Sequence, residues 1–249
     1  MRIKNILLVL SILMVTNWLV GEKALADPND YVITPKVDKG EREIDFKSGI
    51  QKNRDGSVTS GNSIGLGYGV NRIWFTEVYA KYLQEDQQAS SFDAWEWENK
   101  FQLTPSNSPI ILGVLLEIEK PKDTTQGFEL TYGPLFQTDW GKIQGNVNLL
   151  VQRNLASTSY VASEFHYQAQ VKYKASKQFQ WGLQALGNLG RFDHWSSAQV
   201  QEHKLGPAVF GKILTNGNDG FKWNAAWLKG FTNSTPTNTL RVQVEYEFY

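Results

Sequence analysis

Glu77, Glu96, Glu98, Glu117, Glu119 and Glu129 recur through the first half of the chain, and Lys172, Lys204, Lys212, Arg241 and Glu245 follow in the second. Several stand two residues apart, as Glu96 does from Glu98 and Glu117 from Glu119. In an extended chain that spacing puts both side chains on one face. The acids then gather on one wall, and the bases are relatively more frequent on the wall that faces it. Such sidedness sets up a transverse field across an enclosed space, which orients a polar or zwitterionic solute. The same groups could instead pair with one another and hold a narrow space shut.

The usual catalytic groups are sparse. There is no cysteine, which excludes thiolate nucleophiles, thiolate zinc sites, iron–sulfur clusters and disulfides. The three histidines are His166, His194 and His203. Ser163 lies three residues from His166, on the opposite face of an extended segment, so the two are badly placed as nucleophile and base. His194 and His203 stand with Asp193 and Glu202 in or beside a long polar stretch, where solvated side chains are expected. Gly65, Gly67 and Gly69 are not a nucleotide fingerprint, since no helix follows them. They let a strand bend or let a neighbour pack closely. No cofactor and no metal site is expected from these spacings. The balance of 25 basic against 25 acidic residues argues against a nucleic-acid partner.

Period-two alternation must position the lumen charges. Segments 41–51, 62–70, 73–84, 91–103, 109–119, 126–137, 141–153, 159–173 and 178–190 each oppose an apolar set to a polar one. Segment 239–249 does so cleanly, 202–213 less so, and 221–231 is ambiguous because Lys229 shares a face with Trp223 and Trp227. That predicts about twelve strands, most near the length a tilted membrane strand needs. Pro134 and Pro207 fall inside the pattern, and each predicts a bulge or a local break. Short turns alternate with longer polar loops such as 191–201.

A soluble all-β protein also alternates, but two further features favour a membrane. One set on nearly every strand is charged, while the other is crowded with Trp, Tyr and Phe. Trp74, Trp140, Tyr173, Trp181 and Trp223 fall near one set of strand ends and Tyr82, Tyr160 and Phe231 near the other, as interfacial rings do. Lipid tolerates no unpaired backbone edge, so the fold class expected is all-β, a closed antiparallel up-and-down transmembrane β-barrel.

The first residues read as targeting. Arg2 and Lys4 precede an apolar run, and Ala24 and Ala26 flank Leu25 in a small-x-small site. Residues 1–26 are therefore expected to be a secretory signal peptide, removed before Asp27. Residues 27–40 are polar, contain Pro28 and Pro35, and are expected to form an irregular periplasmic lead-in to a barrel over residues 41–249.

The last strand resembles the C-terminal signature of Gram-negative outer-membrane proteins. Leu240, Val242, Val244, Tyr246 and Phe248 alternate toward a final aromatic, with Tyr249 as one extra residue. Segments 40–47 (GEREIDFK), 93–103 (DAWEWENKFQL) and 205–212 (LGPAVFGK) are similar to a group of proteobacterial barrels to which no activity is assigned. The resemblance implies a place in the outer membrane, contact with outer-membrane lipid and lipopolysaccharide, and recognition of residues 240–249 by the barrel-assembly machinery. A monomer is expected. The leading functional expectation is a channel for small polar or amphipathic solutes. The alternatives are an enzyme acting on lipid or lipopolysaccharide, and a closed structural or partner-binding barrel.

Overall fold

The computed structural model describes residues 27–249 apart from Lys177 and Asn218. The expected signal peptide lies outside the described residues. Twelve strands follow one another: β1 (Arg42–Lys52), β2 (Val58–Gly69), β3 (Trp74–Glu85), β4 (Ser91–Gln102), β5 (Ile110–Pro121), β6 (Phe128–Trp140), β7 (Ile143–Leu155), β8 (Glu164–Tyr173), β9 (Gln180–Arg191), β10 (Glu202–Asn216), β11 (Asp219–Gly230) and β12 (Asn238–Phe248). Each pairs antiparallel with its sequence neighbours. Pairing of β1 with β12 over Arg42–Lys52 closes the barrel and leaves no edge.

Alternation decides which side chains face out. Ile64, Leu66 and Tyr68 on β2 and Trp95 and Trp97 on β4 are exposed on the outer wall. Their strand neighbours Ser63, Glu96 and Glu98 are buried inside. In water so much exposed apolar surface would be an association hazard, whereas in lipid it is the solvated face. Aromatic rings pair at the short-turn ends: Trp74 with Phe101 at 6.2 Å and Tyr173 with Trp181 at 5.5 Å.

The shortest connections lie at one end of the barrel and the longest at the other. Two-residue turns join β6 to β7 and β10 to β11, with Gly141 and Gly217 at φ near +57° and +56°. Glycine takes that left-handed conformation without steric cost. The longest loops, residues 156–163 and 192–201, lie at the opposite end. Residues 159–163 belong to that first loop, so β8 starts later than the alternation predicts, while β2 starts earlier, at Val58. Beside β5 a 3-10 turn, Thr124–Gln126, is capped by Asp123, which accepts from the hydroxyl and backbone N–H of Thr125; these bonds hold its carboxyl below the usual value.

The two prolines interrupt pairing on one side without shifting register. The β6–β7 ladder resumes from Tyr132 paired with Val151 to Leu135 paired with Asn148. The β10–β11 ladder resumes from Leu205 with Lys229 to Ala208 with Ala226. A glycine precedes each proline, and a Cβ there would meet the neighbour's carbonyl oxygen, 2.0 Å from Leu149 O at Gly133 and 1.8 Å from Trp227 O at Gly206. The register shifts fall elsewhere, at Lys81 and Tyr82 of β3, Glu164 and His166 of β8, and Leu214 and Asn216 of β10.

Residues 27–40 depart from the expected periplasmic lead-in. They are irregular, but they run inside the barrel. Gly40 N–H donates to Gly69 O at the short-turn mouth. Asp27 reaches Lys81, four residues from the long-loop end of β3. Burial explains the placement. Val32 packs with Leu186, Ala208, Phe210, Ala226 and Leu228, and Ile33 with Leu115, Leu135 and Leu150. Two apolar patches on an otherwise polar inner wall thus receive two adjacent apolar side chains of this strap, removing them from water.

Candidate functional site

The inner wall is ordered in rungs fixed by strand register. One rung runs Glu247, Glu43, Gly67, Glu77, Glu98, Glu117 across β12, β1, β2, β3, β4 and β5. The rung on its long-loop side runs Glu245, Asp45, Gly65, Tyr79, Glu96, Glu119, Glu129. Like charges directly opposite one another repel, so this girdle needs compensation. Lys47 and Lys81 stand one rung farther toward the long loops, and Lys100 one rung toward the short turns.

Lys81 and the strap neutralise the upper part. Lys81 Nζ lies 2.9 Å from Asp27, 3.1 Å from Glu96 and 2.6 Å from Glu119. The carboxylate of Glu117 clusters with those of Glu96 and Glu98. Tyr31 donates its hydroxyl to Glu98 at 2.7 Å. Lys47 Nζ is held between the faces of Tyr31 and Tyr79, 3.6 Å from each centroid, a cation–π arrangement. Tyr79 donates to Asp45 at 2.8 Å, and Gln243 donates to the same oxygen at 3.0 Å.

The facing wall is built of amides. Arg241 donates across the lumen from β12 to Gln184 on β9; Gln184 donates to Gln170, Gln170 to Asn146, Asn146 to Gln137 and Gln137 to Asp139. Each link polarises the next, and a low-dielectric interior strengthens them. The strap's backbone hangs partly on this wall and partly on β4. Asn148 donates to Ile33 O at 2.9 Å, Ile33 N–H donates to Gln168 at 3.2 Å, and Val37 N–H donates to Gln102 at 2.9 Å. Pro28 and Pro35 have no N–H to add to a ladder, consistent with a segment that borrows side chains for its bonds.

The bases of the second half do not all face the acidic girdle. Lys204 donates to Gln51 at 3.3 Å, and the Lys172 ammonium sits 4.8 Å from the Phe210 ring. Lys212 pairs with Glu247 at 2.6 Å, and Lys222 pairs with Glu247 and lies 4.0 Å from Glu245. Charge is therefore balanced mainly between near neighbours, rather than across a single transverse field. Lys36 of the strap and Lys174 pair with Asp139 at the short-turn mouth.

The histidines take separate positions. His203 bonds Tyr167 at 2.9 Å and Gln201 at 3.0 Å, while His166 lies 3.6 Å from Glu164. His194 lies in the loop after β9. Among the described residues no serine hydroxyl is hydrogen-bonded to a histidine ring, and Ser163 lies in the loop before β8. Tyr31, Asp27 and Asp139 are the site residues that spacing alone did not single out, whereas the alternation of 73–84 does place Lys81 inward. Their signal is indirect: Leu115, Leu135 and Leu150 are apolar at positions whose parity is polar, so something apolar had to cover them.

The chain's shape matches solved structures. It superposes on the KdgM porin with a TM-score of 0.60 at 10% identity, covering 83% of this chain and 99% of that one. An outer-membrane channel of Pseudomonas putida gives 0.58 at 10% identity, over 90% and 100% of the two chains. The NanC porin gives 0.56 at 10% identity, over 82% and 100%. This is the barrel fold of those outer-membrane proteins. No family model matches the sequence, and no curated protein matches it either. At such identities the likeness is one of fold. A barrel of this fold, closed and apolar outside, belongs in the outer membrane of a Gram-negative cell.

Proposed function

We propose that the barrel is an outer-membrane channel for small polar or amphipathic solutes, closed in this conformation by the strap of residues 27–40. The observation that carries the reading is how the strap is held. It lies along the lumen yet joins no strand ladder over residues 27–39, and it is seated by side-chain hydrogen bonds, ion pairs and two small apolar contacts. These can be released without breaking any strand pairing. The wall beneath it is polar and charged, as a water-filled passage requires. On β1–β6 the inward acids Glu43, Asp45, Glu77, Glu96, Glu98, Glu117, Glu119 and Glu129 outnumber Lys47, Lys81 and Lys100, so the opened passage favours cationic or zwitterionic solutes over anions. The KdgM porin has been solved in complex with disordered oligogalacturonate. The acidic girdle here points to a different solute charge. In the same reading the outer wall meets lipid and lipopolysaccharide, and residues 240–249 present the assembly signal.

Liposome swelling with graded neutral, zwitterionic, cationic and anionic solutes tests the proposal. A barrel lacking residues 28–38 should admit small solutes, with anions slowest. If that variant folds with its heat-modifiable gel shift and admits none of them, the channel reading falls and a closed structural barrel replaces it.

A further inference from the structure

Three carboxylate groups among the described residues bring oxygens within 4.8 Å of one another: Glu41, Glu43 and Glu247; Glu43, Asp45 and Glu77; and Glu96, Glu98 and Glu117. The first and third have ammonium groups in close contact, Lys212 at 2.6 Å from Glu247 and Lys81 at 3.1 Å from Glu96. The second is different. Its nearest ammonium, Lys47, stands 3.6 Å from Asp45 and is engaged by the rings of Tyr31 and Tyr79. Glu77 is 2% exposed and Asp45 0%, yet Glu77 Oε1 and Asp45 Oδ1 have no hydrogen-bond partner. A buried oxygen left without a donor is costly, and two of them within one carboxylate cluster call for a shared partner.

The fold explains why these three groups converge. Strand β2 separates β1 from β3, but its inward residues here are glycines. Gly67 stands between Glu43 and Glu77, and Gly65 between Asp45 and Tyr79. A Cβ at residue 65 would sit 2.7 Å from Glu77 Oε1, and one at residue 67 would sit 3.3 Å from Glu43 Cβ. Side chains two strands apart therefore meet across the glycines, with the rings of Tyr79 and Phe75 lying directly over Gly65 and Gly67. The absence of side chains at Gly65 and Gly67 is what lets the carboxylates converge.

We propose that Glu43, Asp45 and Glu77 form a site for one hard divalent cation of the Ca2+ type. Calcium takes oxygen ligands at about 2.3–2.6 Å in flexible geometry, so oxygens on opposite sides of the ion stand about 4.8 Å apart. The oxygens of this group lie within that span of one another. Three carboxylates, each able to bind through one or two oxygens, supply three to six ligands, and lumen water completes the shell. The ion would bridge β1 to β3 across the glycine strand. It would also lie close to Tyr79, which packs on Lys47 beneath Tyr31 of the strap.

Terbium luminescence tests the site without requiring conduction. Tb3+ substitutes for Ca2+, and Tyr79, bonded to Asp45 at 2.8 Å, is placed to sensitise its emission. The chain from Asp27 onward, refolded in detergent free of lipopolysaccharide and cleared of metal, should bind one Tb3+ saturably. Added Ca2+ should displace it with an apparent constant of about 1 mM or below. Glu77→Gln keeps the side-chain volume and should weaken binding about tenfold or more. Glu85→Gln, at the exposed end of β3, should bind as the parent does. Glu43→Gln serves in place of Glu77→Gln if the latter fails to fold. The proposal is overturned if the parent shows no saturable binding in this range, or if the folded Glu77→Gln or Glu43→Gln barrel binds as tightly as the parent.

Discussion

The hydroxyl of Tyr31, on the strap, lies 2.7 Å from Glu98 Oε2 on β4, and the same ring carries Lys47 of β1 on its face at 3.6 Å. One side chain thus joins the strap to both an acid and a base of the wall. Glu98 is 1% exposed and its other oxygen has no hydrogen bond, only Lys100 Nζ at 3.9 Å, so losing the Tyr31 hydroxyl leaves the carboxylate without a hydrogen-bond donor. Tyr31→Phe should loosen the strap by about 1–3 kcal/mol, the cost of an unsatisfied buried acceptor. Hydrogen exchange at residues 28–38 should accelerate correspondingly, and Tyr31→Ala should accelerate it further. Unchanged exchange in both variants would show that the contact is incidental.

Lys81 is the hub of three ion pairs, with Asp27, Glu96 and Glu119. Its removal leaves acids facing one another in a poorly solvated lumen. Lys81→Met should destabilise the folded barrel by about 3 kcal/mol, the scale for breaking a buried pair from one side. Adding Glu119→Gln should recover part of the loss. Denaturant titration followed by the gel shift measures both, and an additive pair of losses would contradict the hub.

Val114 stands mid-strand on the outer face of β5, flanked by the inward Gly113 and Leu115. Val114→Arg should cost roughly 2–4 kcal/mol in liposomes, because that face meets the centre of the bilayer. Neutral folding of this variant would mean that the lipid face is assigned the wrong way round.

Strand number, closure and the lipid face were readable because period two is imposed by lipid on one side of every strand. Ile64, Leu66 and Tyr68 against Ser63, Gly65 and Gly67 leave only one way for β2 to face. The strap was not readable in the same way. Residues 27–40 have no periodicity, and their partners, such as Gln102, Asn148 and Gln168, lie far away in sequence. The acids Glu96, Glu98, Glu117 and Glu119 could be placed on one wall from spacing. Their compensation by Lys81, Asp27's partner, depends on the register of β3, β4 and β5, which shifts between Lys81 and Tyr82. Pro134 and Pro207 show the same limit: each interrupts one ladder, but the glycine before it absorbs the disturbance and the register survives.

The acidic wall should set ion selectivity once the passage is open. In the variant lacking residues 28–38, changing Glu96, Glu98, Glu117 and Glu119 to Gln should move the reversal potential toward anion preference. The barrel should still assemble but with reduced stability, since the change relieves mutual repulsion yet takes Glu96 and Glu119 from Lys81. If selectivity stays constant while the barrel is destabilised, the girdle is a structural brace and plays no part in permeation.

Planar-bilayer current compares the closed and opened barrels most directly. The chain from Asp27 onward should insert as a quiet barrel with rare brief openings, and the chain lacking residues 28–38 should give steady conductance. Steady conductance at the same level from both chains would show that the strap does not close the lumen, and would contradict the account.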